Sequence, residues 1–100
     1  LSVEGDLDLY DCRDLTSLPE NLSVGGNLDL RYCGSLTSLP DNLSVGGDLD
    51  LGECKSLTSL PENLSVGGDI RFDNSQTDLI KQAEALKKEG KIKGEIGLYK

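Results

Sequence analysis

The chain reads as a parallel repeat solenoid, closed at its C-terminal end by a helix and a strand. Three observations predict it. The segment LTSLPENLSV at 15–24 returns as LTSLPDNLSV at 36–45 and LTSLPENLSV at 57–66, offset by 21 residues each time. A short alternating segment, DLDL or NLDL, precedes each copy. A glycine pair closes each copy and leads into the next alternating segment. Near-verbatim repetition at this period marks units that bury their apolar face only by stacking on neighbours.

The strands come first in each unit. DLDLYDC at 6–12 aligns with NLDLRYC at 27–33, DLDLGEC at 48–54 and DIRFDN at 69–74. Their period-2 alternation predicts that Leu7 and Leu9 point inward while Asp6, Asp8 and Tyr10 point outward. Leu28 with Leu30, Leu49 with Leu51, and Ile70 with Phe72 continue the inner set. A polar turn around each cysteine follows, then LTSLPxNL, whose Leu15, Leu18 and Leu22 and their equivalents face the core. Pro19, Pro40 and Pro61 forbid a central strand and disfavour a long helix, so this stretch is expected to be extended and turn-rich. Gly25-Gly26, Gly46-Gly47 and Gly67-Gly68 permit a tight corner before the next strand.

The tail departs from the repeat but ends in step with it. TDLIKQAEALKKEG predicts one helix, at about 77–89. Thr77 is the expected N-cap, Asp78 suits the positive start, Lys87 and Lys88 the negative end, and Gly90 the stop. Leu79, Ile80, Ala83 and Leu86 share a face. IKGEIGLYK at 92–100 then aligns with VGGDIRFDN at 66–74, which predicts a final strand at about 95–99 with Ile96 opposite Ile70 and Leu98 opposite Phe72. The expected organisation is therefore repeats over 1–73, about three and a half units, and a capping unit over 74–100. Because LSVEGDLDL at 1–9 matches LSVGGDLDL at 43–51 and no Met is present, the chain is expected to be a processed product or a piece of a longer protein. Its first strand is then an edge able to pair with another chain.

Charge narrows the partners. The net charge is −8, and it is uneven: residues 1–76 hold fourteen acidic and four basic side chains, residues 77–100 four acidic and six basic. An acidic repeat body disfavours phosphate backbones and anionic membranes, and no apolar run is long enough to cross a bilayer.

The pattern LDLxxCxSLTSLPxNLxVGG over nearly the whole chain resembles bacterial leucine-rich repeats of short length. It is similar in particular to short-repeat proteins of bacteria and phages that end in a helix and a KGxI strand. Cys12, Cys33 and Cys54 stand where that family usually carries Asn. The resemblance implies a leucine-rich-repeat solenoid whose parallel sheet forms a concave, protein-binding face, with an extended, turn-rich convex side. A more distant likeness is to secreted effectors with LP-type repeats before a ubiquitin-ligase domain, but nothing here matches that catalytic part.

Candidate chemistry is sparse. Cys12, Cys33 and Cys54 are expected to stack as a structural ladder of thiols, since there is no His and no CxxC to complete a zinc site and three equivalent cysteines cannot all pair within one chain. Unpaired thiols favour a reducing compartment such as the cytoplasm. The columns Asp6, Asn27, Asp48, Asp69 and Asp8, Asp29, Asp50 are read first as solvated, mutually repelling surface. Their functional alternatives are a cation strip or, better, a docking face for a basic protein. Asn21, Asn42 and Asn63 each begin an NLS sequon, but are expected to hydrogen-bond the turn backbone instead. No catalytic constellation, metal site or cofactor motif is found. The reading is a non-enzymatic module that binds a protein through Asp8, Tyr10, Asp29, Arg31, Asp50 and Arg71. The alternative is a structural unit that self-associates through its N-terminal edge strand.

Overall fold

The computed structural model describes residues 2–99 and consists of about three stacked coils, a helix and a last strand. Each coil contributes two short strands rather than the single strand expected. One ladder runs through Ser2–Val3 (β1), Ser23–Val24 (β3), Ser44–Val45 (β5) and Ser65–Val66 (β7). The other runs through Leu7–Asp8 (β2), Leu28–Asp29 (β4), Leu49–Asp50 (β6), Ile70–Asp73 (β8) and Ile96–Tyr99 (β9). Helix α1, Thr77–Lys88, lies between β8 and β9. All pairings are parallel, in the orders β1-β3-β5-β7 and β2-β4-β6-β8-β9. So few coils stack to only about their own width, and the extents are 30 × 27 × 21 Å. Leu1 and Lys100, the ends of two aligned segments, lie outside the described residues.

Register follows the repeat. Leu7 sits opposite Leu28, Leu28 opposite Leu49 and Leu49 opposite Ile70. Leu28, Leu30, Leu49, Leu51, Ile70 and Phe72 are fully buried, as are Leu22, Leu43 and Leu64 from the turn-rich side. The Ser-Val ladder escapes sequence reading because the segment is short and follows a proline. Its alternation nevertheless buries Val24, Val45 and Val66 while the serines stay partly exposed or exposed. Stacking, not local propensity, makes these two-residue stretches strands.

Glycine pairs are demanded by the stack. A Cβ built on Gly46 falls on the carbonyl oxygen of Gly25, inside van der Waals contact, and 3.1 Å from its carbon. The first coil shows the converse: Glu4 occupies the equivalent repeat position, and no described coil lies above it.

The C-terminal unit continues both ladders. Ile96 pairs with Ile70 and Leu98 with Phe72, while Ile92 bridges to Val66 of the other ladder. Leu98 is 53% exposed although its partner Phe72 is buried, because β9 is the outermost described strand. Leu79, Ala83 and Leu86 close the core from the helix. Thr77 is not the N-cap. Gln76 holds that position without a side-chain cap bond, because its amide is used elsewhere: Oε1 accepts from Asp73 N–H at 2.7 Å and Nε2 donates to Leu51 O at 2.8 Å. At the other end Gly90, at φ 82°, completes a Schellman motif, with Gly90 N–H donating to Lys87 O and Lys91 N–H to Leu86 O, both at 3.0 Å.

Candidate functional site

Three columns of side chains run along the outward side of the five-stranded sheet, and they behave differently. The first, Asp6, Asn27, Asp48, Asp69, is not loose surface charge. Asp6 accepts Asn27 N–H, Asn27 accepts Asp48 N–H, Asp48 accepts Asp69 N–H and Asp69 accepts Glu95 N–H, each at 2.8 Å through Oδ1. The column satisfies one backbone donor per coil where the chain turns out of the glycine pair. This use explains why Asp and Asn interchange there: both offer an oxygen acceptor.

The second column does not repel itself as expected, because arginines neutralise it. Asp29 takes Arg31 in a fork, Oδ1 to Nε at 3.0 Å and Oδ2 to Nη2 at 2.8 Å. That hydrogen bond holds the Asp29 carboxyl below the usual range. Arg71 stands where an aspartate would come next, opposite Asp50, and gathers Asp48, Asp50 and Asp69 at 3.1, 3.2 and 3.5 Å. Bonding to Asp50 above all raises the Arg71 pKa further. Asp8, at the exposed end, accepts Tyr10 N–H at 3.0 Å. Asp29, Arg31, Asp50 and Arg71 are therefore held in ion pairs.

The third column and the turn after it line a groove of about 460 Å³. Tyr10, Arg31, Gly52 and Asp73 occupy one repeat position along its floor. Tyr32, Glu53 and Asn74, one residue on, line its wall, with Lys55 at the rim. Tyr10 and Tyr32 are 48% and 44% exposed. Their rings meet edge to face, 5.4 Å apart at 79°, and the Arg31 guanidinium lies 4.9 Å from the Tyr10 ring centre. Asp73 is buried beneath. Burial alone raises its pKa, but Ser75 Oγ, Glu53 N–H at 2.7 Å and Ser75 N–H at 2.8 Å all donate to it, and the net shift is downward.

Asp11, Tyr32 and Glu53 adopt φ of 61°, 63° and 59°. Aspartate tolerates this left-handed region; tyrosine and glutamate bear a cost of about 1 kcal/mol or more there. Sequence reading singles out Tyr10 and Arg31 but leaves Tyr32, Glu53 and Lys55 in an anonymous polar turn. A signal is present. Between the three near-identical copies, the substantial differences fall at Tyr10/Arg31/Gly52, Asp11/Tyr32/Glu53, Arg13/Gly34/Lys55 and Asp14/Ser35/Ser56. Of these residues Tyr10, Arg31, Gly52, Tyr32, Glu53 and Lys55 line the groove.

The cysteines lie behind this turn. Cys33 Sγ donates to Leu9 O at 3.1 Å and Cys54 Sγ to Leu30 O at 2.9 Å; both are buried, and Cys12 is half-buried. Burial pushes the Cys54 thiol up to about 12 and raises Cys33 as well. In the capping unit the Gln76 amide takes over the same task, donating to Leu51 O. Among the described residues no group of three or more His, Cys, Asp or Glu is placed to hold a metal ion, and no helix is long and apolar enough to cross a membrane. Asn42 Nδ2 donates to Asn21 Oδ1 at 3.0 Å, so these two sequon asparagines bond to each other across coils. Comparison with models of known families, with curated proteins and with solved structures found no match.

Proposed function

We propose that the chain is a non-enzymatic protein-interaction module of the leucine-rich-repeat kind, which recognises its partner through the outward side of the five-stranded sheet and the turn that follows it. One observation carries the proposal. Copies that are otherwise almost verbatim diverge at the turn positions around the groove. The stack needs identical leucines, valines and glycines; it makes no such demand on those exposed turns, where Tyr32 and Glu53 persist despite an unfavourable backbone. Asp8 and Asp29 hold Tyr10 and Arg31 in place, through the Tyr10 N–H and the Arg31 guanidinium, while Asp50 pairs with Arg71. The repeating scaffold presents these groups at fixed spacing, so little ordering is required on binding.

Site-specific photocrosslinking tests this reading. Tyr32→p-benzoylphenylalanine is expected to crosslink to another protein in the cells of origin, and Ser38→p-benzoylphenylalanine, in the turn-rich stretch, is not. Crosslinks confined to position 38, or absent from position 32, refute it. A competing reading is self-association through the first coil, favoured by Val3, Leu7, Leu9 and Leu15, which are only half-buried. Sedimentation of the isolated chain decides: a monomer at all concentrations eliminates it.

A further inference from the structure

We infer that the groove takes a cationic side chain, an arginine or lysine of an extended partner segment, stacked on the Tyr32 ring and facing the carboxylate of Glu53. The inference deepens the proposed function and rests on it. Several observations lead to it. The protein already uses this chemistry internally, since Arg31 stacks 4.9 Å over Tyr10 at one end of the groove. Tyr32, set nearly perpendicular to Tyr10, offers a second ring that is 44% exposed. Within its column Tyr32 stands between Asp11 and Glu53 of the adjacent coils, and Glu53 lines the groove with it.

Those carboxylates are available. Asp11 is paired with Arg13 at 2.6 Å and Glu53 with Lys55 at 2.9 Å, but both pairs stand in water, with cation exposures of 77% and 64%. Exposed pairs of this kind contribute little and exchange readily. An incoming cation therefore displaces no buried interaction. Finally, Gly52 follows Tyr10 and Arg31 at the same repeat position and lines the groove together with Tyr32 and Glu53. The long-range field agrees: all four basic residues of 1–76 are engaged with carboxylates, and ten acidic groups remain in excess.

The test is a titration of the ¹⁵N-labelled chain with a blocked tetra-arginine peptide, and with a blocked tetra-glutamate peptide as the opposite charge. The tetra-arginine is expected to shift the amides of Tyr32, Gly52 and Glu53 first, and the tetra-glutamate to leave them unmoved. Tyr32→Ser is expected to weaken binding about fivefold and Tyr32→Phe to preserve it, because the ring and not the hydroxyl carries the attraction. Equal shifts spread along Asp6, Asp48 and Asp69, binding of tetra-glutamate, a silent titration, or full binding by Tyr32→Ser each overturn the inference. Circular dichroism of both variants establishes that the coils are intact. Crosslinking from position 32 combined with a silent tetra-arginine titration removes the cationic ligand and leaves the interaction module standing. Absence of that crosslink removes the module itself.

Discussion

Replacing Gly46 by alanine tests the stacking geometry directly. The added methyl lands on the carbonyl oxygen of Gly25, and Gly25 C and Cα lie 3.1 and 3.5 Å away. All three are backbone atoms of the preceding coil, so no side chain can rotate aside. Either the coils separate locally or the corner distorts. Both routes strain Gly46 N–H to Val24 O at 2.7 Å and Gly47 N–H to Gly26 O at 2.9 Å. Overpacking costs about 1–3 kcal/mol, and weakening one or two of these bonds adds about 1 kcal/mol each. The total, about 2–5 kcal/mol, is a large share of the roughly 5–15 kcal/mol typical of a whole domain. The chain supplies its own control. A Cβ on Gly5 meets nothing within 4 Å, so Gly5→Ala is expected to stay within about 0.5 kcal/mol of the parent. In urea, with a slope of about 1 kcal/mol/M, Gly46→Ala lowers the midpoint by about 2 M or more and Gly5→Ala leaves it in place. Equal shifts for the two variants refute the claim that glycine is set by contact between coils rather than by the turn.

Three further outcomes are expected. With iodoacetamide at pH 8, Cys12 reacts first, while Cys33 and Cys54 react only as the coils open, since burial holds the Cys54 thiol at about 12; equal rates at all three contradict this. The carboxyls of Asp29 and Asp73 are held below their ordinary values. Their stabilisation is complete above the unfolded carboxylate pKa of about 3.9 and is lost as pH falls through the lower folded values. The urea midpoint should therefore drop below about pH 4, and less steeply in Asp73→Asn; a profile that stays flat well below that pH rejects the assignment. Gln82 Oε1 accepts Leu60 N–H at 2.7 Å and its Nε2 donates to Thr58 O at 3.2 Å. Gln82→Ala should cost about 1 kcal/mol and accelerate hydrogen exchange at the Leu60 amide, and unchanged exchange there refutes this role.

Much of the fold was legible because stacking repeats a local pattern. Leu7, Leu28, Leu49 and Ile70 share one register line in the sequence and one in the sheet. Ile96 opposite Ile70 followed from the same alignment across an intervening helix. Legibility failed where a group's role depends on the neighbouring coil. Asp6 and Asp48 look like surface charge until the backbone N–H above each is seen. Thr77 has the composition of an N-cap, yet Gln76 takes that position because its side chain is claimed by Asp73 and Leu51. The candidate groove was half legible. Tyr10 and Arg31 belong to the strand alternation, whereas Tyr32 and Glu53 enter through a left-handed corner that periodicity does not mark.

The sequence by itself determined the period, the inner apolar column and the place where the repeat yields to a helix, since each depends on the order and spacing of residues along one chain. Only the tertiary structure decided the Ser-Val ladder, the gathering of Asp48 and Asp50 by Arg71 of the next coil, and the groove at Gly52. Those features arise between coils, from carbonyls, guanidiniums and rings that meet only once residues 21 apart are brought side by side.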